Sequence, residues 1–233
     1  MDSVIDFLDG KKVFVFDTET TGLPNKVPGG GWNSYYPYYM IDKYKTSRIV
    51  SIAWGYTDNF SKNTIANVSV DHYIRYPEGF NEIPTTHIHG ITFQETLEKG
   101  IPFCDILNTY GLANILLNCD YIVAHNVSFD INILLSELSR LETDIARECI
   151  IKLVSMKDNG KCICSGEITT DICKLKMKNN YVNNSNTNSS KKIKKYKMPK
   201  LSELYQYCYD NMFDGAHSAD GDVRALLKIL AKI

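Results

Sequence analysis

The sequence predicts an α/β protein in which helices flank a mixed β-sheet, and three observations point to this fold class. The first half contains three segments rich in Val, Ile, Phe and Tyr, with no helical pattern between them. The second half alternates short apolar segments with helical patterns. With 233 residues, 44% of them hydrophobic, the chain can bury one sizeable core. We therefore predict a single domain over residues 1–233.

The first three strands are predicted at residues 12–17, 48–57 and 65–76, where β-branched and aromatic residues are concentrated. Because no helical crossover separates these segments, we expect them to pair as an antiparallel meander. Helical patterns with capping residues follow between residues 84 and 119.

The second half predicts parallel strands joined by helices. The segment DYIVAHN, residues 120–126, is interpreted as a buried strand that leads into a helix. Apolar residues on that helix recur at the i, i+3, i+4 and i+7 positions, namely Ile131, Leu134, Leu135, Leu138 and Leu141. The segment EITTDIC, residues 167–173, is interpreted as a further strand, and two helices near 200–210 and 222–233 close the chain. This alternation implies parallel pairing.

Two segments fit neither strands nor helices and are interpreted as insertions. The aromatic loop, residues 24–47, contains three consecutive glycines followed by Trp32, Tyr35, Tyr36, Tyr38, Tyr39 and Tyr44. Its rings either pack on their own domain or stack against single-stranded bases. The lysine-rich segment, residues 174–200, has nine lysines, no acidic residue and many Asn and Ser residues. We expect a mobile, solvated loop there, with contact to a phosphate backbone as the alternative.

Composition narrows the class of protein. The net charge of −1 argues against a protein that coats nucleic acid through bulk charge. No apolar run is long enough to cross a membrane, and the acidic N-terminal residues do not resemble a secretory signal. We expect a soluble intracellular protein, in the cytoplasm or the nucleus, without a membrane partner.

Seven cysteines, an odd number, are typical of reduced thiols rather than a disulfide framework. A four-thiolate zinc site could be formed by Cys162, Cys164, Cys173 and Cys208. However, two of these residues have no close partner in the sequence, so the spacing favours ordinary thiols.

Acidic residues occur where the predicted elements begin or end. Asp17 and Glu19 in VFVFDTETTG follow an apolar strand two residues apart, so their side chains point the same way. Asp130 and Asp222 lie in the first turns of two predicted helices. Charges beside a core must be paired or bound to a metal, and oxygen ligands select Mg²⁺ or Mn²⁺. A pair of such ions is the usual device for phosphodiester cleavage.

His217 is the candidate base for that chemistry. In a single regular helix, His217 and Asp222 would point about 140° apart and could hardly serve one site. The sequence HSADGD instead predicts that the helix begins near Asp220, which leaves His217 on the preceding loop. The ordinary pKa of histidine, about 6.5, suits a base that works near neutral pH.

The three segments FDTETTGL, AHNVSFD and HSADGD resemble, in this order, the motifs of the DnaQ-like (DEDDh) 3′-to-5′ exonucleases, which have a ribonuclease H-like fold. The resemblance extends over about residues 11–233, with the two insertions as departures. It implies that two Mg²⁺ or Mn²⁺ ions bind Asp17, Glu19, Asp130 and Asp222, and that His217 is the general base.

The resemblance also implies contacts to the 3′-terminal nucleotide by Thr20, Leu23, Ile88, His89 and Phe129. The implied partner is a nucleic acid with a free 3′ end, single-stranded or frayed, and a DNA polymerase or repair complex is a possible further partner. DNA and RNA are not distinguished, nor is the oligomeric state. The alternatives are a non-catalytic nucleic-acid-binding or polymerase-associated module and a phosphatase with an Asp nucleophile. The phosphatase would require a second Asp in place of Glu19 and gives no reason for HSADGD.

Overall fold

The computed structural model describes residues 4–176 and 196–233. Five strands form one sheet in the order β3-β2-β1-β4-β5. They are β1 (Val13–Thr20), β2 (Ile49–Thr57), β3 (Val70–Ile74), β4 (Tyr121–Ala124) and β5 (Cys162–Cys164). Strands β1, β2 and β3 pair antiparallel, whereas β4 runs parallel to both β1 and β5. The predicted meander, the parallel pairs and the mixed sheet are confirmed.

Helices cover both faces of the sheet. They are α1 (Thr86–His89), α2 (Phe93–Lys99), α3 (Phe103–Asn108), α4 (Leu112–Asn118), α5 (Val127–Ser139), α6 (Asp144–Asp158), α7 (Ser165–Ile168), α8 (Thr170–Cys173), α9 (Leu201–Tyr209) and α10 (Ala219–Leu230). Alternation along β1 divides the core: Phe14 and Phe16 pack with α3 to α6, whereas Val13 and Val15 pack with α9 and α10.

The predicted strand at residues 167–173 is wrong. This segment lies in α7 and α8, where the hydroxyls of Thr169 and Thr170 donate to the carbonyl oxygens of Ser165 (2.6 Å) and Gly166 (2.8 Å). These hydrogen bonds allow the β-branched threonines to lie in helical turns. The parallel strand is Cys162–Cys164 instead.

Helix boundaries also differ from the prediction. No element was predicted for α6, which begins at a Thr143 cap whose hydroxyl accepts from the backbone N–H of Ala146 (3.3 Å). Helix α5 ends at Ser139, so Leu141 lies beyond it. The third strand is shorter than predicted, because Ile65–Asn67 forms a 3₁₀ turn before it.

The aromatic loop is fixed to the domain at its base. Tyr44, in a 3₁₀ turn at Ile41–Tyr44, is fully buried, and its hydroxyl donates to the carbonyl oxygen of Tyr36 (2.6 Å). An isolated antiparallel bridge joins Lys26 to Tyr35. The loop therefore contains a hairpin closed by the Lys26–Tyr35 bridge and a 3₁₀ turn at its base.

Of the lysine-rich segment, residues 177–195 lie outside the described residues. At its described ends, Lys176 pairs with Tyr196 in an antiparallel bridge, and the Lys197 N–H donates to the Leu175 carbonyl oxygen (2.9 Å). The two ends of the segment therefore meet.

The four cysteines of the possible zinc site do not come together. Cys162 and Cys164 pack with the core cluster under α3 to α6, whereas Cys173 and Cys208 pack on the opposite face with α9 and α10. The zinc alternative is therefore excluded. Within residues 4–176 and 196–233, no helix is both long and apolar enough to cross a membrane.

Candidate active site

Asp17 and Glu19 lie at the end of β1, on the face that α10 covers. They share the side of the strand with Val13 and Val15, because side chains alternate. In the antiparallel register, Asp17 faces Ala53 and Glu19 faces Ser51. The register shifts between Glu19 and Thr20, at the point where the strand leaves the sheet. The two carboxylates therefore point to one side, as the two-residue spacing predicts.

Asp222 reaches the same face from the first turn of α10. Ser218 caps this helix, since its side chain accepts from the N–H of Gly221 (3.3 Å) and donates to the Gly215 carbonyl oxygen (2.8 Å). A Cβ at Gly221 would overlap that same carbonyl oxygen. The glycine of HSADGD thus allows the 215–218 loop to pack against the helix start.

Asp130 reaches the site from the first turn of α5, on the other face of the sheet, and is 2% exposed. Thr18 projects to this face because it alternates with Asp17. Its N–H (3.1 Å) and its hydroxyl (2.7 Å) both donate to Oδ1 of Asp130. Asp130 is therefore fixed beside the end of β1.

Each of the acids has a raised pKa. Burial is the main cause for Asp17, whose pKa lies well above its usual range, with the charges of Asp130, Asp222 and Glu19 adding to it. Burial and the charges of Asp222 and Asp130 raise the pKa of Glu19 to about 8. Burial raises the pKa of Asp130 to about 7 although the bonds from Thr18 lower it, and raises that of Asp222 to about 6 although His217 lowers it. Among the residues that the structure describes, no lysine or arginine forms an ion pair with any of these four acids.

The arrangement fits a divalent metal ion. Asp17, Glu19 and Asp222 each offer one oxygen atom, and these atoms lie within 4.8 Å of one another. Among the described residues, Oδ1 of Asp222 is buried and has no hydrogen-bond partner. Carboxylate oxygens are the ligands that Mg²⁺ and Mn²⁺ prefer, and a bound cation would offset the repulsion among these three carboxylates. Asp130 lies next to this group rather than within it.

His217 lies outside the helix, as predicted, because α10 begins at Ala219. Its backbone adopts a left-handed conformation (φ 67°), and its side chain is exposed. It lines the same cleft as Asp17 and Asp222. The loop position leaves the imidazole free to reach a group bound at the carboxylates.

The five residues predicted to contact the terminal nucleotide differ in exposure. Leu23 (65% exposed) and Ile88 (50% exposed) are apolar side chains open to solvent, and Phe129 is half-buried. Thr20 and His89 are buried and belong to one hydrogen-bonded chain.

That chain fixes the tautomer of His89. Nδ1 accepts from the N–H of Ile91 (3.1 Å), so the neutral ring carries its proton on Nε2, which donates to the hydroxyl of Thr85 (3.0 Å). The Thr85 hydroxyl in turn donates to the carbonyl oxygen of Thr20 (2.5 Å). Burial lowers the pKa of His89, which favours the neutral ring.

A cleft of about 1290 Å³ opens beside the acids. Asp17, Asp222 and His217 line one part of it, Trp32 and Asn33 come from the aromatic loop, and residues 196–201 form another wall. His125 anchors this wall: Nε2 donates to the Pro199 carbonyl oxygen (3.0 Å), and the other ring nitrogen is hydrogen-bonded to the Ser165 hydroxyl (2.9 Å).

Residues 14–230 match the family model RNase_T, described as exonuclease. The chain belongs to this exonuclease family. The predicted resemblance to DnaQ-like exonucleases and the ribonuclease H-like α/β fold are thereby confirmed. None of the curated proteins matches the chain.

Solved structures of E. coli exonuclease I share the fold of this exonuclease domain. A zinc-bound complex with single-stranded DNA has a TM-score of 0.59 at 15% identity, over 95% of this chain and 40% of the other. A complex with a dT13 oligonucleotide has a TM-score of 0.59 at 17% identity, with the same coverage of both chains. The chain thus spans about two fifths of the length of these proteins.

Sequence reasoning missed two residues of the candidate site, Thr18 and Asn126. Thr18 was not identified, although its place between Asp17 and Glu19 puts it on the opposite face of β1. Asn126 lines the cleft in a left-handed conformation (φ 64°), with its buried Oδ1 unpaired among the described residues. Its position between a strand and the N-terminus of α5 was the available signal.

Proposed function

We propose that this exonuclease domain is a divalent-metal-dependent 3′-to-5′ exonuclease that releases nucleoside 5′-monophosphates from DNA or RNA. The observation that carries the proposal is the group of three carboxylate oxygens within 4.8 Å of one another, whose burial and mutual repulsion raise the pKa values of Asp17 and Glu19. A nucleic acid with a free 3′ end is the proposed substrate. The single-stranded DNA in the exonuclease I structures supports that choice.

The metal ligands would be Asp17, Glu19 and Asp222, with Asp130 beside them. Two divalent ions bound there would supply an activated water and stabilisation of the leaving oxygen. The protein's own part is to fix these carboxylates on the ends of β1, α5 and α10, so that little reorganisation is needed on binding. His217, exposed at the edge of the cleft, would accept the proton of the attacking water at an imidazole nitrogen.

The 3′-terminal nucleotide would bind on the side of Leu23 and Ile88. Their exposed side chains offer an apolar surface to its base, and Phe129 adds a half-buried ring. Thr20 and His89 would hold this surface in place, since the chain through Thr85 links them. We propose that this surface accounts for selectivity for a 3′ end.

The test compares 5′-labelled single-stranded DNA, single-stranded RNA and a mismatched duplex, each with Mg²⁺, Mn²⁺ or a chelator. We expect stepwise shortening from the 3′ end that requires metal. Asp17→Asn should abolish it. Asp58→Asn is the matched control, because Asp58 is an exposed acid at the opposite end of the β1–β2 pair from Glu19. Metal-independent binding without shortening of any substrate would contradict the proposal and favour a non-catalytic binding module.

A further inference from the structure

The aromatic loop contains two kinds of aromatic side chain. One kind packs on the domain: Tyr44 is buried, and the Tyr35 ring lies 6.4 Å from that of Phe129 on α5. The other kind is open to solvent, with Trp32 69% and Tyr39 66% exposed. Of these two exposed rings, Trp32 alone lines the cleft beside the acids.

Trp32 is held in place by the hairpin that carries it. The Lys26–Tyr35 bridge and a hydrogen bond from the Val27 N–H to the Ser34 carbonyl oxygen (3.0 Å) close the hairpin. The Lys26 ammonium group lies 4.0 Å from the centre of the Trp32 ring and 5.9 Å from that of Tyr35. This cation–π contact braces the ring, and a large part of the indole remains available to another planar group.

The cleft is too large for one nucleotide and too mixed in charge for recognition by phosphates alone. Its volume of about 1290 Å³ exceeds the roughly 300–1,000 Å³ that small-molecule pockets occupy. Glu167 and Asp171 line it together with Lys197 and Lys200, and Lys197 is paired with Glu203 (2.5 Å). The opposing charges argue that stacking, rather than bulk attraction, is the main contact at Trp32.

The cleft is also separate from the surface proposed for the terminal nucleotide. None of Thr20, Leu23, Ile88, His89 and Phe129 lines it, whereas Asp17 and Asp222 do. A strand whose 3′-terminal base lies on the Leu23 side of the acids would therefore place its preceding nucleotides in the cleft.

We propose that Trp32 stacks on a base of single-stranded nucleic acid, at a nucleotide that precedes the 3′-terminal one. This inference rests on the proposed function and specifies its substrate class. Base faces are accessible in a single strand, but neighbouring pairs cover them in a duplex. Trp32 therefore selects single strands over paired ends.

The protein contains two tryptophans, which makes the contact directly measurable. Trp54 is fully buried, so Trp32 is the exposed fluorophore. In the Trp54→Phe variant, with chelator present to prevent cleavage, an eight-nucleotide oligo(dT) should quench Trp32 emission and protect it from iodide. The same oligonucleotide should bind Trp32→Ala roughly 5- to 150-fold more weakly, as expected for the loss of one stacked base. Trp32→Phe should recover most of the affinity.

Activity separates this inference from the proposed function. The substrates are the oligonucleotide and the p-nitrophenyl ester of thymidine 5′-monophosphate, which has no preceding nucleotide. Trp32→Ala should lower the ratio of kcat/KM for the oligonucleotide to that for the ester, and should reduce the preference for single strands over blunt duplexes. Tyr39→Ala, the matched control from the same loop, should leave both ratios unchanged.

Each outcome decides one question. If wild-type protein cleaves neither substrate under any metal condition, the proposed function fails. If it cleaves both, and Trp32→Ala changes neither the ratio nor the affinity, the stacking site is overturned. Iodide quenching of Trp32 that the oligonucleotide does not reduce would overturn it as well, because a stacked base would cover the ring.

Discussion

Thr18 donates both its backbone N–H (3.1 Å) and its hydroxyl (2.7 Å) to one oxygen of Asp130, across 112 residues of sequence. This pair fixes the first turn of α5 to the end of β1, beside Asp17 and Glu19. It also lowers the pKa of Asp130 against the effect of burial. Thr18 is thus the support for the one acid that lies beside the carboxylate group rather than within it.

Thr18→Val removes the hydroxyl and keeps the shape of the side chain. We expect the free energy of unfolding to fall by about 1.5–3 kcal/mol, because a charged acceptor loses one donor. The metal concentration for half-maximal activity should rise about tenfold or more, as for other partners of metal ligands. Metal titrations of activity and thermal melts in chelator measure the two effects. Thr18→Ser, which keeps the hydroxyl, is the control. If Thr18→Val required the same metal concentration for half-maximal activity as the wild-type protein, Thr18 would have no supporting role.

The raised pKa values of the acids predict how stability depends on pH without metal. Glu19 and Asp222 ionise in the folded protein at about 8 and about 6, well above their ordinary values of 4.5 and 3.8. Between the ordinary and the raised values, the folded state binds more protons than the unfolded state. Stability is therefore expected to fall as pH rises, within a window from about 4 to about 8.

In chelator, Tm should fall between pH 5 and pH 8 by about 4–8 °C, which corresponds to about 2 kcal/mol. Mg²⁺ or Mn²⁺ should reduce this dependence, because a cation stabilises the ionised carboxylates. Asp17→Asn should raise the metal-free Tm at pH 8 and weaken the response to metal. Melts of both proteins across this range, with and without Mg²⁺, check the prediction. A metal-free Tm that rises with pH would count against the assigned pKa directions.

Gly221→Ala tests the loop that carries His217. The added Cβ would overlap the Gly215 carbonyl oxygen, so the 215–218 loop must move. We expect kcat to fall about 10- to 100-fold and stability to fall by about 1–3 kcal/mol, as in other overpacked sites.

Gly31→Ala is the matched control for Gly221→Ala, because the nearest atom to its Cβ would be the Ser34 hydroxyl oxygen at 3.9 Å. Both variants are assayed for kcat and KM on one oligonucleotide. If Gly221→Ala keeps its kcat while losing stability, the 215–218 loop has no part in placing His217, the proposed general base.

The sequence was most informative where residue spacing alone determines geometry. A period of two placed Asp17 and Glu19 on one face, and the turn residues before Asp222 placed His217 outside the helix. Neither inference needed a tertiary contact. The meander followed in the same way, because three strands without crossovers have few alternative pairings.

The rest depends on contacts between distant segments. Strand β5 has three residues, too few for a periodic signal, and is defined by its pairing with β4. The partner of Thr18 lies on another element, and the placing of Trp32 at the cleft depends on how the hairpin folds back. No local pattern reports such contacts, because they form only when the core assembles.

A buried ion-pair network links α5 to the residue before β2 and to the residue after β3. Glu137 on α5, 1% exposed, is paired with Arg48 (2.7 Å) and Arg75 (3.2 Å), and it also accepts from the N–H of Ile49 (3.2 Å). Burial alone would raise the pKa of Glu137, but the charge of Arg75 and the hydrogen bond from Arg48 bring it below its usual value. The network ties α5 to β2 next to the bulge that follows Glu19.

Glu137→Gln keeps the shape and removes the charge, which leaves Arg75, itself 2% exposed, paired with the more exposed Glu78 but without its buried counterion. Removing one member of a buried pair costs about 3–5 kcal/mol, so the variant should unfold at markedly lower denaturant concentration. Lys99→Gln breaks the exposed Lys99–Glu95 pair (2.9 Å) and should leave the unfolding midpoint unchanged. Urea unfolding of both variants measures the difference. Equal midpoints would mean that solvent reaches the network and compensates the lost charge.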